Sequence, residues 1–203
     1  MSRTNRATKE TSNGIRTFVC IEVPAPIRAR IEALQHRLRR NDVPISWVKP
    51  ANIHLTIKFL GDVEASRMDD VRQAVERASA GIPPFEITVE GAGCFPSAKS
   101  PRVLWVGLNP MPDVLRTLHS NLEAALEHAG FAREAKRFSP HLTMARIRDP
   151  FRARATVEEL IAAGFAAETF PAHDVIVMRS DLHPSGSIYT PQAVVHLSAE
   201  DRL

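Results

Sequence analysis

Two short segments carry the residues best suited to chemistry: His54-Leu55-Thr56 and His141-Leu142-Thr143, 87 residues apart. A chain with 8 histidines among 203 residues is expected to contain His-Leu-Thr only about 0.03 times at average composition. Two copies therefore point to an internal duplication. Each copy lies where the pattern predicts a strand, in NIHLTIKFLG (52–61) and SPHLTMARIR (139–148). Side chains alternate faces along a strand, so His54, Thr56 and Lys58 are expected on one face, and His141 and Thr143 on one face of theirs. Leu55, Ile57, Leu142 and Met144 then turn into a core. Imidazole titrates near neutrality and can carry a proton in either direction. Two of them, with hydroxyls and a cation, are equipped for attack on a phosphodiester. One takes a proton from water, the other gives one to the leaving oxygen, and threonines and cations hold the phosphoryl oxygens.

The elements that must position these residues are legible from periodicity. Arg16–Val23 alternates as a strand until Pro24 and Pro26, and Ile27, Ile31, Leu34 and Leu38 follow at helical spacing. Ile45–Val48 reads as a short strand and Ile53–Leu60 as a strand ended by Gly61-Asp62. Met68, Val71 and Val75 mark a second helix. Phe85–Val89 and Val103–Leu108 are strands, the latter apolar enough to be central. Val114–Ala129 is an amphipathic helix closed by Gly130. His141–Ile147 is a strand, Val157–Ala163 a helix, and Asp174–Arg179 and Ile188–Leu197 the closing strands. Interleaved strands and helices with short connections give an α+β or α/β class.

Composition excludes several classes. The chain is 44% hydrophobic and 24% charged, an ordinary globular balance rather than a disordered one. Its longest apolar stretch, Leu160 to Ala167, is far short of the roughly 20 residues that span a bilayer. Residues 1–13 are polar and aperiodic and are expected to be a disordered tail, with 14–203 forming one domain. Cys20 and Cys94 show no paired or metal-type spacing and are expected as buried thiols in a reducing cytoplasm. The net charge is only +3, but Phe131–Arg152 holds six cations against Glu134 and Asp149. Such a segment suits an anionic ligand such as phosphate or a short nucleic acid, or else is a solvated basic face. The other six histidines, His36, His119, His128, His173, His183 and His196, are isolated and read as ordinary structural residues.

With WVKPANIHLTIKFLGD and FSPHLTMARI around its motifs, RTFVCIEVP at 16–24, PRVLWVGL at 101–108 and SGSIYT at 185–190, the chain resembles the two-histidine (2H) phosphoesterases. Among them it is most similar to the bacterial RNA 2′,3′-cyclic phosphodiesterases, historically called 2′-5′ RNA ligases. The resemblance implies a bilobal α+β fold, with two pseudo-symmetric sheet-plus-helix lobes and a central cleft. It implies hydrolysis of RNA or nucleotide 2′,3′-cyclic phosphates to 2′-phosphates without a metal or other cofactor. By motif position His54 is the proton donor, His141 the proton acceptor, and Thr56 and Thr143 phosphate ligands. Arg146 is a further phosphate ligand, although simple alternation puts it on the face opposite His141, so that role requires a twist or a bulge. Lys58 is either a phosphate contact or a rim ion pair. Phe95 and Tyr189 are the aromatics expected to stack a nucleobase. No membrane and no obligate protein partner are expected, and the chain is taken as a monomer. The competing readings are reversible 2′-5′ ligation, a non-catalytic RNA-end or nucleotide-binding module, and a zinc hydrolase. The last is disfavoured because neither motif contains the Asp, Glu or Cys that would complete a zinc site.

Overall fold

The computed structural model describes residues 14–39, 43–184 and 186–199; the tail expected at 1–13 lies outside them. The elements run β1 (Gly14–Glu22), α1 (Ala25–Leu38), β2 (Ile45–Trp47), β3 (His54–Glu64), α2 (Met68–Ser79), β4 (Phe85–Phe95) and β5 (Val103–Leu108). They continue α3 (Asp113–His128), β6 (His141–Ile147), α4 (Arg154–Ala163), β7 (Glu168–Ala172), β8 (Asp174–Asp181) and β9 (Ile188–His196). No helix among the described residues is long and apolar enough to cross a membrane.

One antiparallel sheet runs β7-β4-β5-β6-β3-β1-β8-β9, with β2 paired to β6. The two motif strands, β6 and β3, are the central pair, with three further strands beyond each. They are joined through Leu55 and Leu142, both fully buried. Two of the helices, α1 and α3, are exchanged between the halves. α3 follows β5 in one half but packs against β3 and α2 of the other. α1 follows β1 yet reaches β6, where buried Gln35 donates from Nε2 to the carbonyls of Val48 and Met144, each at 2.9 Å. Val19 and Ile21 of β1 point into the main core beneath the helices. Phe18 and Cys20 alternate with them and form a small second cluster with Ile176 and Met178 on the opposite face.

Simple alternation fails at one equivalent place in each motif strand. In β3, Thr56 pairs with Cys20 and Lys58 with Val19, leaving Ile57 as an extra residue. In β6, Thr143 pairs with Trp105 and Ala145 with Leu104, leaving Met144 extra. An inserted residue shifts everything beyond it to the other face. Ile57 and Lys58 are consequently both buried, as are Met144 and Ala145, while Phe59 and Arg146 emerge. This corrects the placement of Lys58 beside His54. Its side chain is 2% exposed, the ammonium donating to Glu123 Oε1 at 2.7 Å and to the carbonyl of Ala132 at 3.0 Å. The same kind of bulge delivers Arg146 to the His141 face, which alternation alone denies it.

Other departures have local causes. β3 runs past Gly61 because that glycine, at φ 74°, sits at a second register shift in a conformation it adopts without strain. β7 is unexpected because ETFPA contains Pro171; it lies at the edge of the sheet, where proline is tolerated. Cys20 is buried, and burial, with Glu22 adding to it, pushes its thiol up to about 12. Cys94 is only half-buried, contrary to expectation.

Lys58→Met should lower stability to urea by about 3–5 kcal/mol, because it takes the ammonium from the buried Glu123 carboxylate and leaves it the Glu134 N–H and, at 3.7 Å, His119. Adding Glu123→Leu should restore part of that loss. Equal stability for wild type and Lys58→Met would mean that the pair holds nothing.

Candidate active site

Antiparallel pairing of Leu55 with Leu142 fixes where the motif side chains fall. Extending that register by one residue each way sets His54 opposite Thr143 and His141 opposite Thr56. The two histidines are then diagonal neighbours, and such Cβ atoms lie roughly 7–8 Å apart. An imidazole and a hydroxyl from each strand thus share one face around the junction. Because the leucines between them are buried, all four side chains are forced to the other face.

Both histidines are anchored alike. His54 Nδ1 donates to the carbonyl of Asn52 at 2.8 Å, and His141 Nδ1 to that of Ser139 at 2.7 Å. A carbonyl oxygen only accepts, so each Nδ1 carries its hydrogen and each Nε2 is left to react. Asn52 also acts through its side chain. Its Nδ2 donates to the carbonyl of Ser187 at 2.7 Å, holding the segment that leads into β9 over His54. There the His54 ring stacks on Phe18 at 4.6 Å and meets the edge of Tyr189 at 5.2 Å. The His141 ring meets Phe95 at 5.0 Å, and Phe95 in turn meets Trp105.

Burial pushes the pKa of His54 below its ordinary 6.5, and Arg146 and His141 push the same way, against the Asn52 hydrogen bond. Burial also lowers His141, again with Arg146 adding and the Ser139 hydrogen bond opposing. Arg146 thus acts on both rings. Its guanidinium meets no carboxylate among the described residues, so its charge is available to an anion.

Two hollows flank the pair. The first, about 480 Å³, contains His54, Thr56, Thr143 and Arg146, with Tyr189 in its wall. Lys49 and Arg16 also line it, and no carboxylate does among the described residues. The second, about 700 Å³, adjoins His141, Phe95 and Trp105, with Arg116 and Arg137 but also Glu90. Close approach shapes it: a Cβ on Gly93 would lie 2.6 Å from Cζ2 of Trp105. The expected basic segment is dispersed. Arg133 is paired with Glu127 at 2.8 Å, Arg137 lies in the second hollow, and Arg146 reaches the first. Among the described residues, no three His, Cys, Asp or Glu side chains come together as a metal site.

The structure brings the histidines, threonines, Arg146, Tyr189 and Phe95 named from the sequence to the two hollows, and places Lys58 in the core instead. Sequence reasoning misses Phe18 beneath His54, for which β1's alternation is the available signal. It also misses Lys49 and Arg16 in the cleft, and Gln35 beneath the β6 bulge. In sequence Gln35 looks like one more polar helical residue between Leu34 and Leu38.

The family LigT like phosphoesterase matches residues 21–105 and again 106–189, once over each half. The chain is 32% identical over 185 residues to a protein of Methanothermobacter thermautotrophicus named RNA 2′,3′-cyclic phosphodiesterase, covering 90% of this chain and 99% of that one. It is 33% identical over 181 residues to a protein of the same name from Thermotoga maritima, covering 86% and 91%. TT0787 of Thermus thermophilus superposes with a TM-score of 0.74 at 26% identity, covering 92% of this chain and 99% of the other. E. coli LigT complexed with NADP+ superposes at 0.72 with 25% identity and the same coverage.

Proton NMR of the histidine rings should show both His54 and His141 titrating below 6.5, and Arg146→Gln should move both midpoints upward. Because the unfolded chain binds these protons more tightly, their contribution to stability is complete above pH 6.5 and is lost as pH falls through the folded values. His54→Gln and His141→Gln should each flatten that acid limb. Midpoints unmoved by Arg146→Gln would place its charge away from the rings.

Proposed function

The chain belongs to the LigT like phosphoesterase family, and we propose that it hydrolyses 2′,3′-cyclic phosphates on RNA ends or small nucleotides to 2′-phosphates. The observation that carries this is the pair of Nδ1-anchored imidazoles on either side of the Leu55–Leu142 junction, with the charge of Arg146 acting on both.

In this reading the phosphate lies between the rings, bound by Thr56, Thr143 and Arg146. His141, neutral at Nε2, takes a proton from water as the water oxygen bonds to phosphorus. His54, protonated at Nε2, gives its proton to the 3′ oxygen as the phosphorus–oxygen bond breaks, leaving the phosphate on the 2′ oxygen. Proton exchange with solvent then resets both rings. The cationic hollow on the His54 side suits the nucleoside and its phosphates, with Tyr189 against the base, and a bound phosphate anion there offsets the burial and the Arg146 charge that lower His54, which lets it serve as donor. His141 faces the second hollow, from which water can approach; Phe95 stands there as the second stacking candidate. Attack by a ribose hydroxyl instead of water would be 2′-5′ ligation, the same chemistry with a different nucleophile. We assign the activity to a monomer in the cytoplasm, since one chain supplies both histidines and neither cysteine is paired.

The two roles separate by leaving group. His54→Ala should lose about 10²–10⁴-fold on a ribose 2′,3′-cyclic phosphate and recover much of that on a p-nitrophenyl phosphodiester, whose leaving group needs no proton. His141→Ala should be impaired on both. Rescue of His141→Ala instead would exchange the roles. Equal losses on both substrates would remove the acid–base division altogether.

Dialysis against EDTA should leave the rate intact, because imidazoles carry both protons. Loss of activity that zinc or magnesium restores would contradict this.

A further inference from the structure

The bulge that delivers Arg146 to the phosphate has a twin in β3, and the residue it delivers there is Phe59. A side chain expelled from the core in this way needs no functional reason, but its surroundings supply one. Phe59 is 44% exposed and lines the same cationic hollow as His54. The guanidinium of Arg16 lies over its ring at 4.5 Å. Arg16 pairs across the ladder with Asp62, yet no ion pair joins the two. The hollow thus ends in an aromatic ring and a cation that makes no ion pair among the described residues, although Asp62 and Asp181 line a neighbouring hollow with it.

Distance separates this end from the reacting phosphate. Phe59 stands five positions along β3 from His54, at most about 16 Å at roughly 3.3 Å per residue, and the bulge shortens that. The span is too long for the sugar carrying the cyclic phosphate and suits its neighbour. An RNA ending in a 2′,3′-cyclic phosphate continues only through its 5′ oxygen, so its next phosphate and base must leave the cleft along one wall. Exposed aromatics interleaved with arginine are what single-stranded nucleic acids bind, the ring taking a base and the cation a phosphate. The second hollow is less suited to that path, because Glu90 lies in its wall.

We infer that Phe59 and Arg16 form a subsite for the nucleotide 5′ to the cyclic phosphate, which makes RNA ends better substrates than mononucleotides. This rests on the cyclic-phosphate reading above. Phe59 supplies the stacking surface. Arg16 contributes the charge and props the ring from one side.

The test compares adenosine 2′,3′-cyclic phosphate with a di- or trinucleotide ending in the same group. The wild-type protein should favour the oligonucleotide in kcat/KM, mainly through KM. Phe59→Ala should reduce that ratio between about 5- and 150-fold, the range of one base stack, and Phe59→Trp should preserve it. Arg16→Gln should reduce the ratio and lower the slope of log kcat/KM against log salt by about 0.7 for the oligonucleotide. Turnover of both substrates with a ratio near one, or a ratio untouched by Phe59→Ala and Arg16→Gln, would overturn the subsite and leave the cyclic-phosphate reading standing. Turnover of neither substrate by the folded wild-type protein would overturn both.

Discussion

Leu55 and Leu142 meet where β3 and β6 join the two halves of the sheet, and both are fully buried. Burying a leucine stabilises a fold by about 1.5–3 kcal/mol, while exposing it by a one-residue slip would turn the histidines and threonines inward. Register and site are therefore held by the same energy. The helix exchange follows: α1 and α3 must each cross the junction to cover the apolar face that these leucines share. The catalytic side chains lie on the uncovered face because the covered one is already filled.

Beneath each bulge a buried polar group comes from the crossing helix. Gln35 donates to Met144 O under β6, and Glu123 accepts Lys58 Nζ under β3. Each is the eleventh residue of its helix. Equivalent positions have kept a hydrogen-bonding role while changing its chemistry. Glu123 also accepts the backbone N–H of Glu134, and Lys58 donates to Ala132. The pair thereby ties down the segment that ends at Ser139, whose carbonyl fixes the tautomer of His141. Gln35 in the same way supports the bulge that turns Arg146 outward. Pre-positioned donors and charges of this kind matter because they need not reorganise during the reaction.

What is legible in the sequence is whatever depends on a short period. The HLT repeats, the apolar alternation around them and the long amphipathic helix give the strands, the internal repeat and the paired site. The bulges are not legible, because Ile57 and Met144 are as apolar as any residue in an unbroken strand. Lys58 is misplaced for that reason, and Phe59 passes unnoticed. Gln35 and Glu123 depend on contacts between elements distant in sequence, which no local spacing encodes. The cationic segment 131–152 is visible as composition, but pairing of Arg133 with Glu127 and the placement of Arg137 and Arg146 on separate hollows only emerge in three dimensions.

The central claim is that two imidazoles across one strand junction open a cyclic phosphate with water, one on each side of the phosphorus. Product analysis of adenosine 2′,3′-cyclic phosphate hydrolysed in ¹⁸O-labelled water, by ³¹P NMR and mass spectrometry, tests it most directly. Adenosine 2′-phosphate should be the sole product, with one labelled oxygen on phosphorus. Adenosine 3′-phosphate, a mixture of the two isomers, or unlabelled product would contradict it.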